Sequence, residues 1–466
     1  MMNLKILKYS LMLVMIFGLV SCQKSSVSTP TDSNNTPYDF GLSNEDVYAY
    51  TFWNQSPSTL PIGVWSDPPP ANFAGIYDNP DLINDEQYQY IKEAGINVVY
   101  GLYNNVVLNR SNVIRSLDLA AKYDITYLVR DSQVTGSYDD EDLSLLQATL
   151  SYYKDHPAFG GSMIVDEPGV TSFANLGNLH KNYQSILPNH AFYINMLPNY
   201  ASKNQLVNGA AGGVVNDDSM DYERYMTEYM NQVKPKFYSY DFYPFVGMEY
   251  GRMRSGYFAQ MTQIREIANQ YQIPFWTFIQ ASSWSPSSLR VPSQTEIDWQ
   301  VSTSIAMGAK GIQYFMYYTS MEQGHESFIG GMVDSEGNKN PMYDYVKNAN
   351  MHLINIQSLI MNSSHVGVIV HGESPDDIPD SIRLETFSGL HDVQGDAMLI
   401  GAFNHQQKPA YYVVNNSFNG IGTHTLTFDS VFTMRIYEHD QVREVTTNVL
   451  ELNINAGEGV FIEIVS

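Results

Sequence analysis

From about residue 60 onward the chain alternates short apolar runs with longer stretches in which apolar residues recur every three or four positions. "LPIGVWS" (60–66) is followed by "NDEQYQYIKEAG", where Tyr88, Ile91 and Ala94 share a helical face and Gly95 suits a helix stop. "INVVYGLY" (96–103) precedes "VIRSLDLAAKYD", and "ITYLVRD" (125–131) precedes "DEDLSLLQATLSYYKDH". The fourth run, "GGSMIVDEPG" (160–169), leads into "FANLGNLHKNYQSILP". "HAFYINMLP" (190–198), "KFYSYDFYPF" (236–245), "IPFWTFIQ" (273–280) and "GIQYFMYY" (311–318) predict strands five to eight, each followed by a helical pattern.

Eight strand-helix units over about 300 residues predict an α/β architecture, one (β/α)8 TIM barrel. An open doubly wound sheet is the competing arrangement, but no Gly-rich phosphate fingerprint opens any of the helices. Beyond Met361 the helical period ends. "HVGVIVHG", "AMLIGAFNH", "PAYYVVNNS", "THTLTFD", "FTMRIYEHD" and "GVFIEIVS" alternate with Gly, Asn and Asp, which predicts a small C-terminal β-sandwich. The expected organisation is a signal peptide over 1–21, a flexible tether over 22–45, a barrel over 46–360 and an accessory sandwich over 361–466.

The ends of the chain and its charge narrow the setting. Lys5 and Lys8 precede an apolar run to Val20, a pattern too short and wrongly flanked for a spanning helix but suited to export. Leu19, Val20, Ser21 and Cys22 resemble a bacterial lipobox, which implies a lipid-anchored membrane partner through Cys22, the only cysteine. Gln23 follows it, and the same resemblance implies an outer membrane lipoprotein on the periplasmic or cell-surface side. Loss of residues 1–21 removes two lysines and no acids, taking the net charge from −24 to −26. A body this acidic repels phosphate backbones, so no nucleic-acid partner is expected.

In barrel enzymes the carboxyl ends of the strands build the active site. Those ends carry Arg130 and Asp131 on strand three, Asp166 and Glu167 on strand four, Asn195 on strand five and Asp241 on strand six. Strand seven offers Gln280, and strand eight Tyr317 or Tyr318. Pro168 removes a ladder donor and disfavours the helical region for Glu167, so that residue is expected to remain extended. With strict alternation Met163, Val165 and Glu167 share a face, and if Val165 fills the barrel Glu167 points into its mouth. Partial desolvation there would raise its pKa toward the range of a general acid. The bland alternative is a glutamate that caps the next helix or pairs with Arg130. Trp65, Tyr103, Tyr240, Tyr243, Trp276, Trp284 and Tyr314 lie at or near strand ends, where sugar rings can stack, and Arg130, Asn195 and Gln280 can bond hydroxyl groups. No His-x-x-x-His spacing, nucleophile elbow or calcium loop is present, so neither a metal nor a cofactor is expected.

The pair Glu167–Pro168 resembles the fourth-strand ending of the large glycoside hydrolase clan, clan A, that includes the family 42 β-galactosidases. "MGAKGIQYFMYY" (307–318) and "VDSEGNKNPMYDYVKNANMHL" (333–353) are similar to its passages into the eighth strand and eighth helix. The resemblance covers roughly residues 60 to 360. It implies a glycosidase barrel with Glu167 as acid/base. Two positions depart from the pattern: Asp166 stands where the clan usually has a hydroxyl-binding asparagine, and Gln280 stands where it has a nucleophilic glutamate. An amide cannot serve as that carboxylate. Glycosidic hydrolysis needs a second acid. Asp241 is the best candidate, Asp166 the next, and Glu322 or Glu326 after strand eight could swing in. A fourth-strand and sixth-strand pairing resembles α-galactosidase-type barrels. The expected function is therefore cleavage of O-glycosidic bonds in a carbohydrate substrate. The rival is a non-catalytic glycan-binding lipoprotein on a degenerate barrel.

Overall fold

The computed structural model describes residues 38–43, 56–72, 79–102, 109–136, 143–285, 288–319, 327–439 and 441–466. The apolar runs form strands because both of their faces are buried. Val98 and Tyr100 point into the barrel interior with Leu128, Met163, Tyr193, Trp276 and Phe278. Val99, between the first two, joins the layer shared by strands and helices. Such near-continuous apolar character is what a parallel sheet covered by helices requires.

Eight parallel strands close on themselves: β1 (Ile62–Trp65), β2 (Val98–Tyr100), β3 (Thr126–Val129), β4 (Phe159–Asp166), β5 (Ala191–Met196), β6 (Tyr238–Tyr240), β7 (Phe275–Gln280) and β8 (Ile312–Phe315). Each pairs with the next, and β8 returns to β1 through Ile62 and Ile312. Above the barrel mouth, Ser283–Ser285 and Ser327–Ile329 form a two-stranded antiparallel ribbon. Helix starts follow ordinary capping chemistry, as where Asn84 accepts from the Gln87 amide and where Ser293 and Glu296 form a capping box.

The helix Pro341–Met361 closes the barrel. It is followed by β9 (Ser364–His371), β10 (Leu390–Gly395), β11 (Met398–His405), β12 (Lys408–Asn415), β13 (Ile421–Tyr437), β14 (Val442–Asn455) and β15 (Gly459–Ile464). These form one antiparallel sheet in the order β9-β11-β12-β15-β13-β10, with β14 on β13. All seven strands contribute to a single apolar cluster, so the sheet folds over its own core as a small β-sandwich.

The opposite face of β11 and β12, through Leu399, Phe403, Ala410, Tyr412 and Val414, joins the cluster of the barrel helices. Gly401 allows the close approach, because a Cβ there would lie 2.5 Å from the Ala306 carbonyl oxygen. Trp299, on the helix Gln294–Ala306, is fully buried, packs against Phe418 and donates its indole N–H to Asn416 Oδ1 at 2.8 Å. Trp299→Ala should therefore destabilise the protein by about 3–5 kcal/mol. Denaturant unfolding followed by far-ultraviolet circular dichroism checks the value.

Candidate active site

The carboxyl ends of β4 and β6 bring three acids to one cavity of about 270 Å³, with Asn195 of β5 between them. Asp166, Glu167 and Asp241 line it together with Asn195, and the walls include Trp65, Tyr243, Phe278, Trp284, Phe315 and Phe328. Asp241 is buried, Glu167 is half-buried, and Asp166 is open to the solvent of the cavity while protein surrounds its other sides.

How Glu167 reaches the cavity differs from the alternating pattern. The pairing of β4 with β5 slips between Met163 and Val165. Met163 remains in the barrel interior, whereas Ile164 and Val165 both pack against the outer layer. A bulge of this kind re-aims the residues beyond it. Asp166 thus faces the mouth, where its carboxylate accepts from Asn195. Glu167 is not extended: its φ is +47°, in the left-handed region. That conformation costs about 1–2 kcal/mol for a residue with a side chain. It is held from both sides, since the Glu167 N–H donates to the Asn195 carbonyl at 2.8 Å and its own carbonyl accepts from Ala210 at 3.1 Å. Beyond it the Pro168 carbonyl accepts from Tyr225 Oη at 2.7 Å. Gly169 passes so close to the 207–209 backbone that a Cβ would lie 2.3 Å from the Gly209 nitrogen.

The acids are tied together by Asn195. Its Nδ2 donates to Asp241 Oδ1 at 2.8 Å and to Asp166 Oδ1 at 3.2 Å. All three carboxyl groups are pushed above the ordinary carboxylate range, chiefly by removal from bulk water. For Asp166 the Asn195 bond and the Arg130 charge oppose that effect, leaving it at about 6. Asp241 rises to about 7, with Asp166 adding repulsion. Glu167 makes no such bond and feels both aspartates, which pushes it up to about 9. At neutral pH Glu167 therefore carries a proton, and most of the negative charge resides on the aspartates. Among the described residues no group of three His, Cys, Asp or Glu side chains is arranged to hold a metal ion.

The aromatic walls form two sets of touching rings. Trp284 stacks on Phe328 with centroids 6.3 Å apart and planes at 5°. Phe328 leads to Phe315 at 5.9 Å and Phe315 to Tyr243 at 5.3 Å, while Trp65 meets Phe278 edge-on at 5.8 Å. Flat apolar faces around a few polar groups suit a ring that carries both C–H faces and hydroxyls.

Residues 150–356 match the family model of glycoside hydrolase family 42, described as β-galactosidase. The matched segment contains all three acids. The protein is a glycosidase. Among solved structures, the glycosidase resembles a family 5 glycoside hydrolase from Bacteroides vulgatus ATCC 8482, at 12% identity and a TM-score of 0.50, over 89% of this chain and 93% of the other. It also matches an α-L-arabinofuranosidase from Thermotoga maritima, at 10% identity and a TM-score of 0.47, over 89% of this chain and 98% of the other. No curated protein matches its sequence.

Several residues expected at the glycosidase's pocket lie elsewhere. Tyr240 and Tyr314 belong to the layer between strands and helices, where the Tyr314 hydroxyl donates to Asn350 Oδ1 at 2.7 Å. Trp276 is deep in the barrel interior against Phe237, at 4.4 Å between centroids. Gln280 is fully buried and staples two loops: its Oε1 accepts from the Phe245 amide, and its Nε2 donates to the Phe245 and Arg290 carbonyls. Hence no part of it remains for a sugar hydroxyl. Arg130 stands exposed at the end of β3 and does not line the cavity, although its charge acts on Asp166. Asp131 caps the helix Ser132–Thr135 and accepts from Tyr153 Oη at 2.9 Å. The Tyr317 hydroxyl, well outside the mouth, donates to Gln87 Oε1 at 2.8 Å. Tyr103, Glu322, Glu326 and Cys22 lie outside the described residues.

Conversely, Tyr200, Gln205, Phe278, Phe315 and Phe328 line the pocket without having been singled out in the sequence. Phe278 and Phe315 could have been found, since each follows the inward parity of its strand. Phe328 could not, because its place depends on the ribbon that pairs it with Trp284 across more than forty residues.

Proposed function

We propose that the pocket hydrolyses O-glycosidic bonds of an oligo- or polysaccharide by carboxylate catalysis. Glu167 is the proton donor, and Asp241 is the second acid. The observation that carries this reading is a glutamic acid set beside two aspartates that Asn195 bridges, within an aromatic pocket at the mouth of the barrel, where burial and the two neighbouring acids push its carboxyl up. The two working carboxyl groups of a glycosidase flank the scissile bond. Glu167 and Asp166 are chain neighbours, whereas Glu167 and Asp241 rise from strands on either side of β5. Strands spaced at about 4.8 Å put those two backbones roughly 10 Å apart, which leaves room for a sugar between the side chains.

In the proposed reaction the Glu167 proton passes to the departing glycosidic oxygen as the C–O bond breaks. Positive charge then develops on the anomeric carbon and ring oxygen, facing the aspartate pair. Asp241 either bonds to that carbon and is later displaced by water, or removes a proton from the attacking water. The anomer released first distinguishes the two courses and is read by proton NMR during hydrolysis. Asp166 contributes negative charge to the same face.

The test is a screen of aryl glycosides and oligosaccharides with the parent and with Glu167→Gln and Asp241→Asn. Turnover by the parent and its loss in both variants is expected. A parent that binds glycans but cleaves none of them would overturn the reading.

The same proposal places the enzyme on a membrane, tethered by residues 22–45 from a lipidated Cys22, on the strength of the lipobox-like Leu19 to Cys22. Parent protein expressed in a Gram-negative host should partition into detergent. Cys22→Ser should remain aqueous with its activity intact, and equal partitioning of the two would contradict the anchor.

A further inference from the structure

Beneath the pocket floor runs a buried polar chain that the catalytic reading does not itself use. TIM-barrel interiors are usually filled by branched apolar side chains. Here Tyr100, Tyr193, Ser239 and Gln313 occupy that space, all fully buried. Polar groups in a dry core are destabilising unless they are hydrogen-bonded. These are bonded to one another. Tyr100 Oη and Tyr193 Oη both donate to Gln313 Oε1, at 2.5 and 2.6 Å. Gln313 Nε2 donates to Ser239 Oγ at 2.9 Å, and Ser239 Oγ donates to Asn195 Oδ1 at 3.0 Å.

The chain has a direction. A serine hydroxyl has one proton to give. Gln313 Nε2 donates into Ser239 Oγ, which lies 3.0 Å from both Tyr193 Oη and Asn195 Oδ1. Because the carboxylates above Asn195 only accept, the amide turns its oxygen down to receive the serine proton. The amide can then present only its NH2 group upward, one N–H to Asp166 and one to Asp241. With the amide reversed, its oxygen would face two carboxylates and Ser239 would meet a second donor.

We propose that Asn195 is a positioning residue whose amide, oriented from below by Ser239 and Gln313, holds Asp166 and Asp241 as anions in one arrangement and leaves the transferable proton on Glu167. The proposal rests on the reading of Glu167 as proton donor and adds how the proton is kept there. Two neighbouring carboxylates disfavour each other's ionisation and tend to share a proton. A bridging donor that serves both offsets that tendency, and a fully satisfied polar network fixes a single geometry.

The other groups facing the pair do not replace it. Tyr193 lies beneath it on β5, and Tyr200 stands on the loop that follows, with the Arg254 guanidinium 3.9 Å over its ring. Tyr243 approaches from the β6 side, and Tyr240, in the layer behind that strand, feels only the Asp241 charge of the pair. Burial pushes all four phenols up, so they remain neutral at working pH. Among the described residues Arg130 is the cation whose charge acts on Asp166. It is exposed, and solvent and salt screen it.

The deciding measurement is a carbon-13 NMR titration of the aspartate carboxyl groups in the full chain. It compares the parent with Ser239→Ala and Asn195→Ala, with the pair's resonances assigned by Asp166→Asn and Asp241→Asn. Ser239→Ala touches no substrate and changes little volume. It should raise the apparent titration of the aspartate pair by about one pH unit, the scale of losing the one neutral hydrogen bond that orients the bridging amide. Asn195→Ala should raise it further. In kinetics the acid limb of kcat/KM should move up by the same amount, with kcat reduced about tenfold and KM within threefold. Ser239→Thr, which keeps the hydroxyl, should restore both. An unchanged titration in folded Ser239→Ala and Asn195→Ala would overturn the proposal whatever the parent hydrolyses. The shift in the variants together with no turnover by the parent would instead count against Glu167 as donor.

Discussion

Glu167→Gln should lower kcat/KM on a glycoside with a poor leaving group by roughly 10²–10⁴-fold, the range attributed to general acid catalysis. On a dinitrophenyl glycoside the same variant should stay within about tenfold of the parent, because that leaving group departs without a proton. Glutamine keeps the size of the side chain and removes only its titration. The backbone bonds that hold residue 167 in its left-handed conformation involve main-chain atoms alone, so the substitution leaves them in place. A merely structural glutamate, by contrast, would lose activity equally on both classes of substrate. Steady-state kinetics over a leaving-group series make the comparison.

Asp241→Asn should be at least as damaging, at the upper end of the ~10²–10⁴-fold scale and for every leaving group. Asp241 faces the carbon at which charge develops, and a better leaving group does not replace it. It is buried beside Asp166, and Asn195 donates to it at 2.8 Å. An asparagine there presents either a neutral acceptor or a donor aimed at another donor. Added azide should recover part of the activity by occupying the vacated space as an anion. Formation of a glycosyl azide of inverted anomeric configuration marks Asp241 as the nucleophile, whereas recovery without an azide adduct marks it as the base. Full activity in the variant would transfer the role to Asp166.

The barrel was legible in the sequence because each strand is buried on both faces and most helices on one, two patterns that the order of apolar and polar residues displays. The C-terminal strands were legible for a similar reason, through their alternation and their Gly, Asn and Asp turns. The acids were legible because "VDEP" and "SYDFYP" end apolar runs. What parity alone misjudged was the route by which Glu167 enters the mouth. A one-residue bulge after Met163 and a positive φ at Glu167 are set by pairing with β5 and by close packing on residues 207–210, neither of which a local pattern records. The same limit explains Tyr240, Trp276 and Tyr314. An aromatic residue near a strand end reads alike whether it faces the mouth, the barrel interior or the helices. Gln280 was conspicuous as a missing carboxylate, and in the structure its amide closes loop backbone groups that a carboxylate would leave without their donor. Asn195 was noticed as a hydroxyl binder, yet its partners are Asp166 and Asp241, which only the closed barrel brings within reach.

The central claim is that Glu167 is protonated at working pH while the aspartates are not, and the pH dependence of kcat/KM on an unactivated glycoside tests it most directly. For the parent, activity should rise as the aspartate pair ionises through about 6 to 7 and fall as Glu167 loses its proton near 9. In Glu167→Gln the residual activity should keep the acid limb and lose the alkaline one. An alkaline limb that persists unchanged in Glu167→Gln would contradict the account.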